Sequence, residues 1–394
     1  MPASPSTARA INDRLALRLL QDEGPLTAPQ LKQLTGLSRP TVADLVERLA
    51  VSGLIEVVGE AGAQRRGPNA RLYGIAADRA QLAALDVRTE GVAVLVSDLV
   101  GRVLAEASVP IGGDTGTGPA VERAVTLVER AAKQAGADRL HTVGIGAPGL
   151  IDPASGELRN STGLPEWHRR LVAALQERLP RARVSVENET NLAALAEQRE
   201  GAARDRDTVV LLWLGHGTGA AVVLDGRLRR GASGGTGEIG FLPVPGTSGL
   251  PSATDCEGGF HSLAGSAAIA VLAGRYGLTA RARSDEPVAA ALVRAAVDAP
   301  DTGATAGFLD ALADRLALGA ASVVAVLDPG CVVLGGEVGQ AGGQVLAHRV
   351  AQRLRRMAPL PTEVRPSALG GTAVLHGALL TARESAQVTL FGPR

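Results

Sequence analysis

Residues 214–240 read LGHGTGAAVVLDGRLRRGASGGTGEIG, a run in which short apolar segments alternate with glycines. The segment TVVLLWLG, which ends at Gly215, and the segment AAVVLDG, which begins at Ala220, are typical of two β-strands joined by a glycine-rich turn. Glycines let a turn approach a ligand closely, because no Cβ stands in the way. The stretch predicts the strand-rich opening of a lobe, with a turn able to face a phosphate.

The chain on both sides of this stretch alternates between strand-like and helix-like segments. Three strand-like segments lie within residues 81–109, and LHTVGIGA, RVSVE and CVVLGGEV follow later. Helical patterns lie at about residues 119–135, 166–179 and 306–326, and another begins at Thr190. This alternation predicts mixed sheets with helices on both faces. The repeated opening of three strands and a helix predicts two related lobes around a ligand cleft.

The N-terminal segment has a different pattern. Thr27 and Ser38 each precede a short helical pattern with a proline in its first turn, and Gly36 separates the two. The second pattern has one apolar stripe, formed by Val42, Leu45, Val46 and Leu49. Strand-like segments then flank a glycine-rich tip. Helix, turn, helix and hairpin in this order predict a winged helix-turn-helix.

The expected DNA contacts lie at the start of the second helix, which would enter the major groove, and on the wing, which would contact phosphates or the minor groove. They are Ser38, Arg39, Pro40, Thr41, Asp44, Arg48, Arg65, Arg66 and Arg71. The same pattern also fits a small helical domain that binds protein or caps another domain. Because 40 Lys+Arg balance 40 Asp+Glu, DNA binding depends on this local patterning.

The 394-residue chain, with 45% hydrophobic residues, is long enough for two or three domains. We place the winged helix-turn-helix at 1–78, a first lobe at 79–188 and a second lobe at 189–371, with a helix at about 372–386 packing back onto the first lobe. The sequence has neither a secretory signal pattern nor about 18 successive apolar residues, so we expect no membrane partner. Two widely separated cysteines favour a reduced, cytoplasmic protein.

Four stretches in chain order carry a resemblance to a known family: GIGAPGLID, VENETN, the run at 214–240 and DPGCVVLGGEVG. With them, the chain resembles the ROK family (repressors, open reading frames and kinases). Over its whole length it is similar to the regulator branch with an N-terminal winged helix-turn-helix. The resemblance implies an α/β architecture in which a two-lobed actin-like, hexokinase-like domain follows the winged head.

Two parts of the kinase members are changed. Their Gly-Gly-Thr phosphate turn is replaced after Asp86 by a sequence with Arg88, Thr89 and Glu90. These side chains keep backbone amides away from a phosphate and Glu90 repels ATP, so ATP is not expected as a cofactor. The catalytic Asp of the kinases corresponds to Glu189, whose carboxylate is one methylene further out. A misplacement of about 1 Å costs about a hundredfold in rate.

The resemblance also implies the ligand site. The expected ligand-binding residues are Gly163, Asn188, Glu189, Glu238 and His261. Asn188 and Glu238 match sugar contacts of the family, whereas Gly163 stands where the family has Asn and His261 where it has Glu. His261 either replaces a sugar-contacting carboxylate or is a loop residue paired with backbone. Glu189 can be a base, a ligand contact or a cap of the following helix, and we expect a ligand contact.

Zinc is not expected. The family binds it through a His and a cysteine-rich cluster, but here Phe241 stands in place of the His and Cys256 is the only cysteine of TDCEGGFH. Tetrahedral zinc needs four ligands, and Cys256 with His261 cannot supply them.

These patterns favour a transcriptional regulator of the repressor type. It would bind a palindromic DNA operator as a homodimer or higher homo-oligomer and sense a sugar or sugar-derived effector, with no catalytic residues. Two alternatives stay open: an ATP-dependent sugar kinase with a regulatory DNA-binding head, and a module that uses its lobes only to dimerise or bind protein.

Overall fold

The computed structural model describes residues 5–61, 70–152, 154–159, 165–252, 256–283 and 286–391. The first part is a winged-helix head in which a three-stranded sheet of order β1-β3-β2 packs beside three helices. Its elements are α1 (Pro5–Asp22), β1 (Leu26–Thr27), α2 (Ala28–Thr35), α3 (Arg39–Val51), β2 (Ile55–Ala61) and β3 (Ala70–Ile75).

The first lobe has a five-stranded sheet of order β6-β5-β4-β7-β8. Strands β4, β5 and β6 are antiparallel neighbours, whereas β7 runs parallel to both β4 and β8. Its elements are β4 (Gln81–Arg88), β5 (Gly91–Asp98), β6 (Val103–Pro110), α4 (Thr117–Gln134), β7 (Leu140–Ala147), α5 (Glu166–Arg178) and β8 (Arg183–Asn188). Helix α6 (Glu189–Arg199) then leads to the second lobe.

The second lobe repeats this topology, with order β11-β10-β9-β12-β13. Its strands are β9 (Val209–Leu214), β10 (Thr218–Leu224), β11 (Arg227–Arg229), β12 (Cys331–Gly335) and β13 (Glu363–Pro366). Its helices are α7 (His261–Ala264), α8 (Ser266–Arg275), α9 (Val288–Asp298), α10 (Gly303–Leu327) and α11 (Gly336–Met357). In both lobes the third, second, first, fourth and fifth strands lie side by side, so the expected pair of related lobes is confirmed.

The helical starts in the head follow from local chemistry. The side chain of Thr27 accepts from the backbone N–H of Gln30, and Gln30 accepts from the backbone N–H of Thr27 in return. Ser38 caps α3 by accepting from the backbone N–H of Thr41. The stripe predicted for this helix is buried, as Val42, Leu45, Val46 and Leu49. The predicted helix-turn-helix core is therefore confirmed.

The strand predicted for CVVLGGEV is wrong in its second half. Strand β12 ends at Gly335, and α11 begins at Gly336. Gly336 has φ 74°, and a Cβ there would lie 2.5 Å from the backbone oxygen of Leu214. The close approach of β9 thus forces a glycine with positive φ, which turns the chain out of the sheet.

Helix α12 (Ala373–Leu390) follows the second lobe in sequence, but it packs on β4, β7 and α6 and therefore lies on the first lobe. Near its end, Gln387 Nε2 donates to Gln21 Oε1 of α1 over 2.6 Å. Buried apolar residues of the head and of α12 belong to one continuous core, which includes Leu20 and Leu379. The head is therefore packed onto the lobes through the C-terminal helix.

Helix α6 anchors the segment that precedes α12. The buried carboxylate of Glu197 accepts from the backbone N–H groups of Ala202, Ala368 and Leu369 and from the hydroxyl of Ser367. Two chain segments distant in sequence thus share one acceptor, which fixes the start of α12 relative to α6.

We expect Glu197→Ala to lower the free energy of unfolding by about 2–4 kcal/mol, because it leaves several buried donors without an acceptor. Urea unfolding measures this loss, and amide hydrogen exchange at residues 368 and 369 should become faster. The matched control is Glu177→Ala on the exposed side of α5, which should change stability by less than about 0.5 kcal/mol. Equal stabilities of the two variants would contradict the anchoring role.

Candidate functional site

The carboxyl ends of the parallel strands of both lobes face one cleft. Residues after β4, β7 and β8 lie on the first lobe's side, and residues after β9 and β12 lie on the other. Two contacts join the edges of the cleft: Glu90 lies 3.3 Å from the imidazole of His216, and Glu187 forms an ion pair with Arg230 at 2.6 Å. This edge is where open α/β folds bind ligands.

The turn after β4 is filled by a guanidinium. Arg88 donates from Nε to the buried Asp86 at 2.8 Å and from Nη2 to the backbone oxygen of Gly371 at 3.0 Å. Its Nη1 lies 3.9 Å from Glu337 at the start of α11. Burial raises the pKa of Asp86, and the positive charge of Arg88 opposes that rise. The position that the kinase resemblance gives to phosphates therefore holds a side chain tied to three neighbours.

Asn188 has a structural task in addition to its expected ligand role. Its Oδ1 accepts from the backbone N–H groups of Thr190 and Asn191, so Asn188 is the residue that caps α6. Its Nδ2 donates to the backbone oxygen of Gly149 and to Oε2 of Glu189, at 3.0 Å each. The amide is therefore fully engaged, and it orients the Glu189 carboxyl.

Glu189 does not cap the helix, because Asn188 fills that role. Burial raises the pKa of Glu189 to about 8, and the nearby carboxyl groups of Asp86, Glu238 and Glu337 add to the rise. The side chain is therefore mostly protonated at neutral pH, and in that form it can donate a hydrogen bond as well as accept one.

The other expected ligand residues come from the second lobe. Glu238 is exposed. The residue before it, Gly237, has φ 89° and lies so close to β10 that a Cβ would be 1.9 Å from the backbone oxygen of Ala220, so only a glycine fits there. His261 is half-buried, and burial lowers its pKa. A Cβ at Gly265 would lie 2.7 Å from the imidazole, so this glycine makes room for His261. Gly163 lies outside the described residues.

Several residues at the cleft were not found by sequence reasoning. Glu337 reaches toward Arg88, and Arg230 pairs with Glu187. His168 lies buried near Glu90, and burial lowers its pKa to about 4, so it is neutral at physiological pH. The glycine-rich turn also differs from a free phosphate cradle, because the N–H of Gly215 donates to the oxygen of Gly217.

The expected DNA face is at the start of α3. Ser38, Arg39, Pro40 and Asp44 are exposed, and Thr41 is half-buried with its hydroxyl 2.8 Å from that of Ser38. Arg39 thus projects from the first turn of the second helix, where a helix-turn-helix reads base edges.

Arg48 is engaged within the head. It forms ion pairs with Asp44 one turn earlier and, at 2.7 Å, with Asp13 of α1. Arg71 is exposed on β3. Arg65 and Arg66 lie outside the described residues, as does the rest of the wing tip at 62–69.

Across the described parts of the chain, His, Cys, Asp and Glu side chains form no group of three or more that could hold a metal ion. Cys256 and Phe241 stand at the positions considered for zinc. Within the same ranges, no helix is both long and apolar enough to cross a membrane.

Comparison with known proteins gives the family. The sequence matches the ROK family over residues 82–385 and the MarR family over residues 11–66. The xylose repressor of Caldicellulosiruptor bescii is 26% identical over 240 residues, which are 60% of this chain and 59% of that protein. The glucokinase of Halalkalibacterium halodurans is 31% identical over 249 residues, which are 60% of this chain and 74% of that protein. The chain thus spans about three fifths of the length of the curated repressors that it matches.

A solved ROK family transcriptional regulator, a homolog of the E. coli MLC protein, has the same fold. It covers 98% of both chains with a TM-score of 0.77 at 22% identity. The predicted architecture, a winged head followed by a hexokinase-like pair of lobes, is confirmed. Because the family match extends over most of its length, the chain belongs to the ROK family.

Proposed function

We propose that the protein is a DNA-binding transcriptional repressor whose lobes sense a sugar or a sugar-derived small molecule. The observation that carries the proposal is the continuous packing of a winged-helix head, with the first turn of α3 exposed, onto the lobes that form the cleft. The start of the second helix is where a helix-turn-helix contacts base edges, and an exposed polar turn there is free to do so. Relatives named as repressors support the same reading.

Helix α12 supplies a route between the two sites. The segment before it, at Gly371, accepts a hydrogen bond from Arg88 in the cleft, and Gln387 near its end contacts Gln21 of α1. A shift of the lobes on effector binding would move one end of this helix, and the packed helix would transmit that shift to the head. We infer that the effector changes the position of the head in this way.

A palindromic operator and a homodimer follow from the size of the DNA-reading unit. One short recognition helix contacts too few base pairs for specific binding in a genome, and two copies related by a twofold axis double the site. On this proposal Arg39 and Thr41 read bases, whereas Arg65, Arg66 and Arg71 of the wing contact the backbone. Arg48, tied to Asp13, holds α3 against α1.

Kinase activity is not part of the proposal. Because burial raises the pKa of Glu189 to about 8, only a minor fraction of this carboxyl is ionised at neutral pH, so its use as a catalytic base would show as a rate that rises with pH. The Arg88 guanidinium also fills the turn that would approach a phosphate, and it is held there by Asp86. Because one relative is named as a glucokinase, a sugar kinase is the competing function. The pH dependence of effector binding and of phosphorylation, both set by Glu189, distinguishes a sensor from a kinase.

Substitutions in the head test the proposed DNA face. On a duplex chosen by in vitro selection, Arg39→Ala should lose about 1–3 kcal/mol of specific binding and retain nonspecific binding, because it removes a base contact. Arg71→Ala should weaken both kinds of binding to a similar degree. Fluorescence anisotropy measures these affinities. Arg123→Ala, an exposed arginine of α4, is the matched control and should change neither. If Arg39→Ala behaves like the control, α3 does not read the operator.

The pH dependence of effector binding tests the proposed role of Glu189. Its protonated form should donate to the effector, so effector affinity should be constant near pH 7 and fall as the pH rises through about 8. Glu189→Gln keeps a donor and should bind without this pH dependence, whereas Glu189→Ala should bind about ten- to a hundredfold more weakly. Calorimetric titration with effectors found by a thermal-shift screen of sugars measures this.

A sugar kinase would behave in the opposite way. Its rate of ATP-dependent phosphorylation should rise as Glu189 ionises above pH 8, and Glu189→Gln should abolish it. Sugar phosphate formed by the parent protein with that pH profile would refute the proposed sensor and establish the enzyme.

A further inference from the structure

Residues 230–238, which follow β11, belong to the second lobe but contact the first. At their start, Arg230 Nε donates to Oε2 of Glu187, near the end of β8, over 2.6 Å. Further along, Gly235 lies so near the first lobe that a Cβ there would be 3.7 Å from the side chain of Leu150. We call these residues the strap, because they reach from one lobe to the other.

The strap folds back on itself, so its two ends form one unit. The backbone oxygen of Arg230 accepts from the N–H of Thr236 over 3.2 Å. Gly231 has φ 73°, and a Cβ there would come too close to the hydroxyl of Thr236, so this tight turn favours glycine. At the other end, the N–H of Glu238 donates to the oxygen of Gly235 at 3.4 Å. A displacement of Arg230 is therefore passed to Glu238 through a short, internally bonded loop.

On the first lobe, the strap meets a carboxylate that also holds the start of α6. Oε1 of Glu187 accepts from the backbone N–H of Asn188 and from Nδ2 of Asn191, at 3.0 Å each. The side chain of Glu187 is 11% exposed, whereas that of Arg230 is 47% exposed. The pair thus differs from an ordinary surface ion pair, because its acid is a buried group with a fixed place beside the first turn of α6.

The residues expected to bind the effector lie at both ends of these contacts. On the first lobe, Asn188 donates to Oε2 of Glu189. On the second, Glu238 ends the strap and lies near enough to Glu189 for its charge to add to the rise in the pKa of Glu189, which burial chiefly causes. The pair between Glu187 and Arg230 therefore joins the two halves of the expected effector site.

We propose that Arg230 is a positioning residue for the effector site: through Glu187 it holds the strap on the first lobe and sets Glu238 beside Asn188 and Glu189. The inference rests on the proposed sensing function, since it takes these last three residues as effector contacts. In this role Arg230 acts through Glu187 and needs no contact with the effector. Without its guanidinium the two halves of the site would be held less firmly, and effector binding would have to order them.

Amide hydrogen exchange of the effector-free protein tests the pair by itself. Arg230→Gln should speed exchange about tenfold at the amides of residues 188 and 236, because the ion pair no longer holds their acceptors in place. Arg229→Gln is the matched control: Arg229 is the preceding residue and pairs with the exposed Asp225 at 3.3 Å, so the two amides should exchange as in the parent. Equal exchange in the parent and in Arg230→Gln would overturn the proposal.

Calorimetric titration with sugars found by thermal-shift screening measures the effect on the site. Arg230→Gln should weaken effector binding by about tenfold, Arg230→Lys should recover part of the loss, and Arg229→Gln should stay within about twofold of the parent. In a Glu187→Gln background, which keeps an acceptor for Asn188 but removes the charge, Arg230→Gln should have no further effect. The midpoints of thermal unfolding of Arg230→Gln and Arg229→Gln should be similar, so that the loss of affinity is not a loss of fold.

The outcomes separate this inference from the function on which it rests. Faster exchange at residues 188 and 236 with unchanged effector affinity in Arg230→Gln would overturn the positioning role and leave the sensor intact. Additive losses from Glu187→Gln and Arg230→Gln would also overturn it, because Arg230 would then act without Glu187. If no sugar binds the parent protein, the proposed sensing function fails and the positioning role fails with it, whatever the exchange rates of the variants.

Discussion

The ion pair between Asp86 and Arg88 sets the arrangement of the cleft. Asp86 is buried at the end of β4, and a carboxylate without a partner in such a place costs several kcal/mol, so the strand needs a cation nearby. Arg88, two residues on, supplies it and also reaches the backbone of Gly371 and the carboxylate of Glu337. The Arg88 side chain thus connects the first lobe to the start of α11 and to the segment before α12. The same side chain fills the turn that kinase members of the family use for phosphate.

This constraint links the cleft to the head. Glu197 fixes the segment at 367–369 to α6, Arg88 holds Gly371, and α12 then runs along the first lobe to Gln21 of the head. Packed helices move as units and not by gradual deformation, so a change at the cleft is expected to appear at the head as a displacement of α1. Each of the hydrogen bonds in this chain is modest in energy. Together they fix the position of the head relative to the cleft.

Sequence reasoning succeeded where structure depends on near neighbours. The cap at Thr27, the cap at Ser38 and the buried stripe of α3 each need only residues within two helical turns, and all three are confirmed. The alternation of strands and helices likewise gave two lobes of equal topology. The fold was therefore largely predictable from local patterns and from the resemblance to the family.

It failed where the outcome depends on distant segments. By local pattern the run at 331–338 is a continuous strand. In the structure the backbone of Leu214 lies so close that only a glycine fits at position 336, and the chain leaves the sheet there and begins α11. No pattern near Glu90 indicates that His216 lies opposite it. The sequence did not indicate that Asn188 caps α6 and donates to Glu189, and the ligand contact expected for Asn188 stays a prediction. The roles of Arg65, Arg66 and Gly163, which lie outside the described residues, remain predictions, as does the role of Arg71.

We propose that the cleft and the winged-helix head share one equilibrium, in which effector binding at the cleft and DNA binding at the head influence each other. Linkage then requires that the effector change DNA affinity by the same factor by which DNA changes effector affinity. The most direct measurement is calorimetric titration of the effector with and without operator DNA, set beside DNA titrations with and without effector. We predict a factor clearly different from one that is reduced toward one, in both titrations, by Gln387→Ala, which removes the hydrogen bond between α12 and α1. An effector affinity that is the same in the presence and absence of DNA would contradict the account.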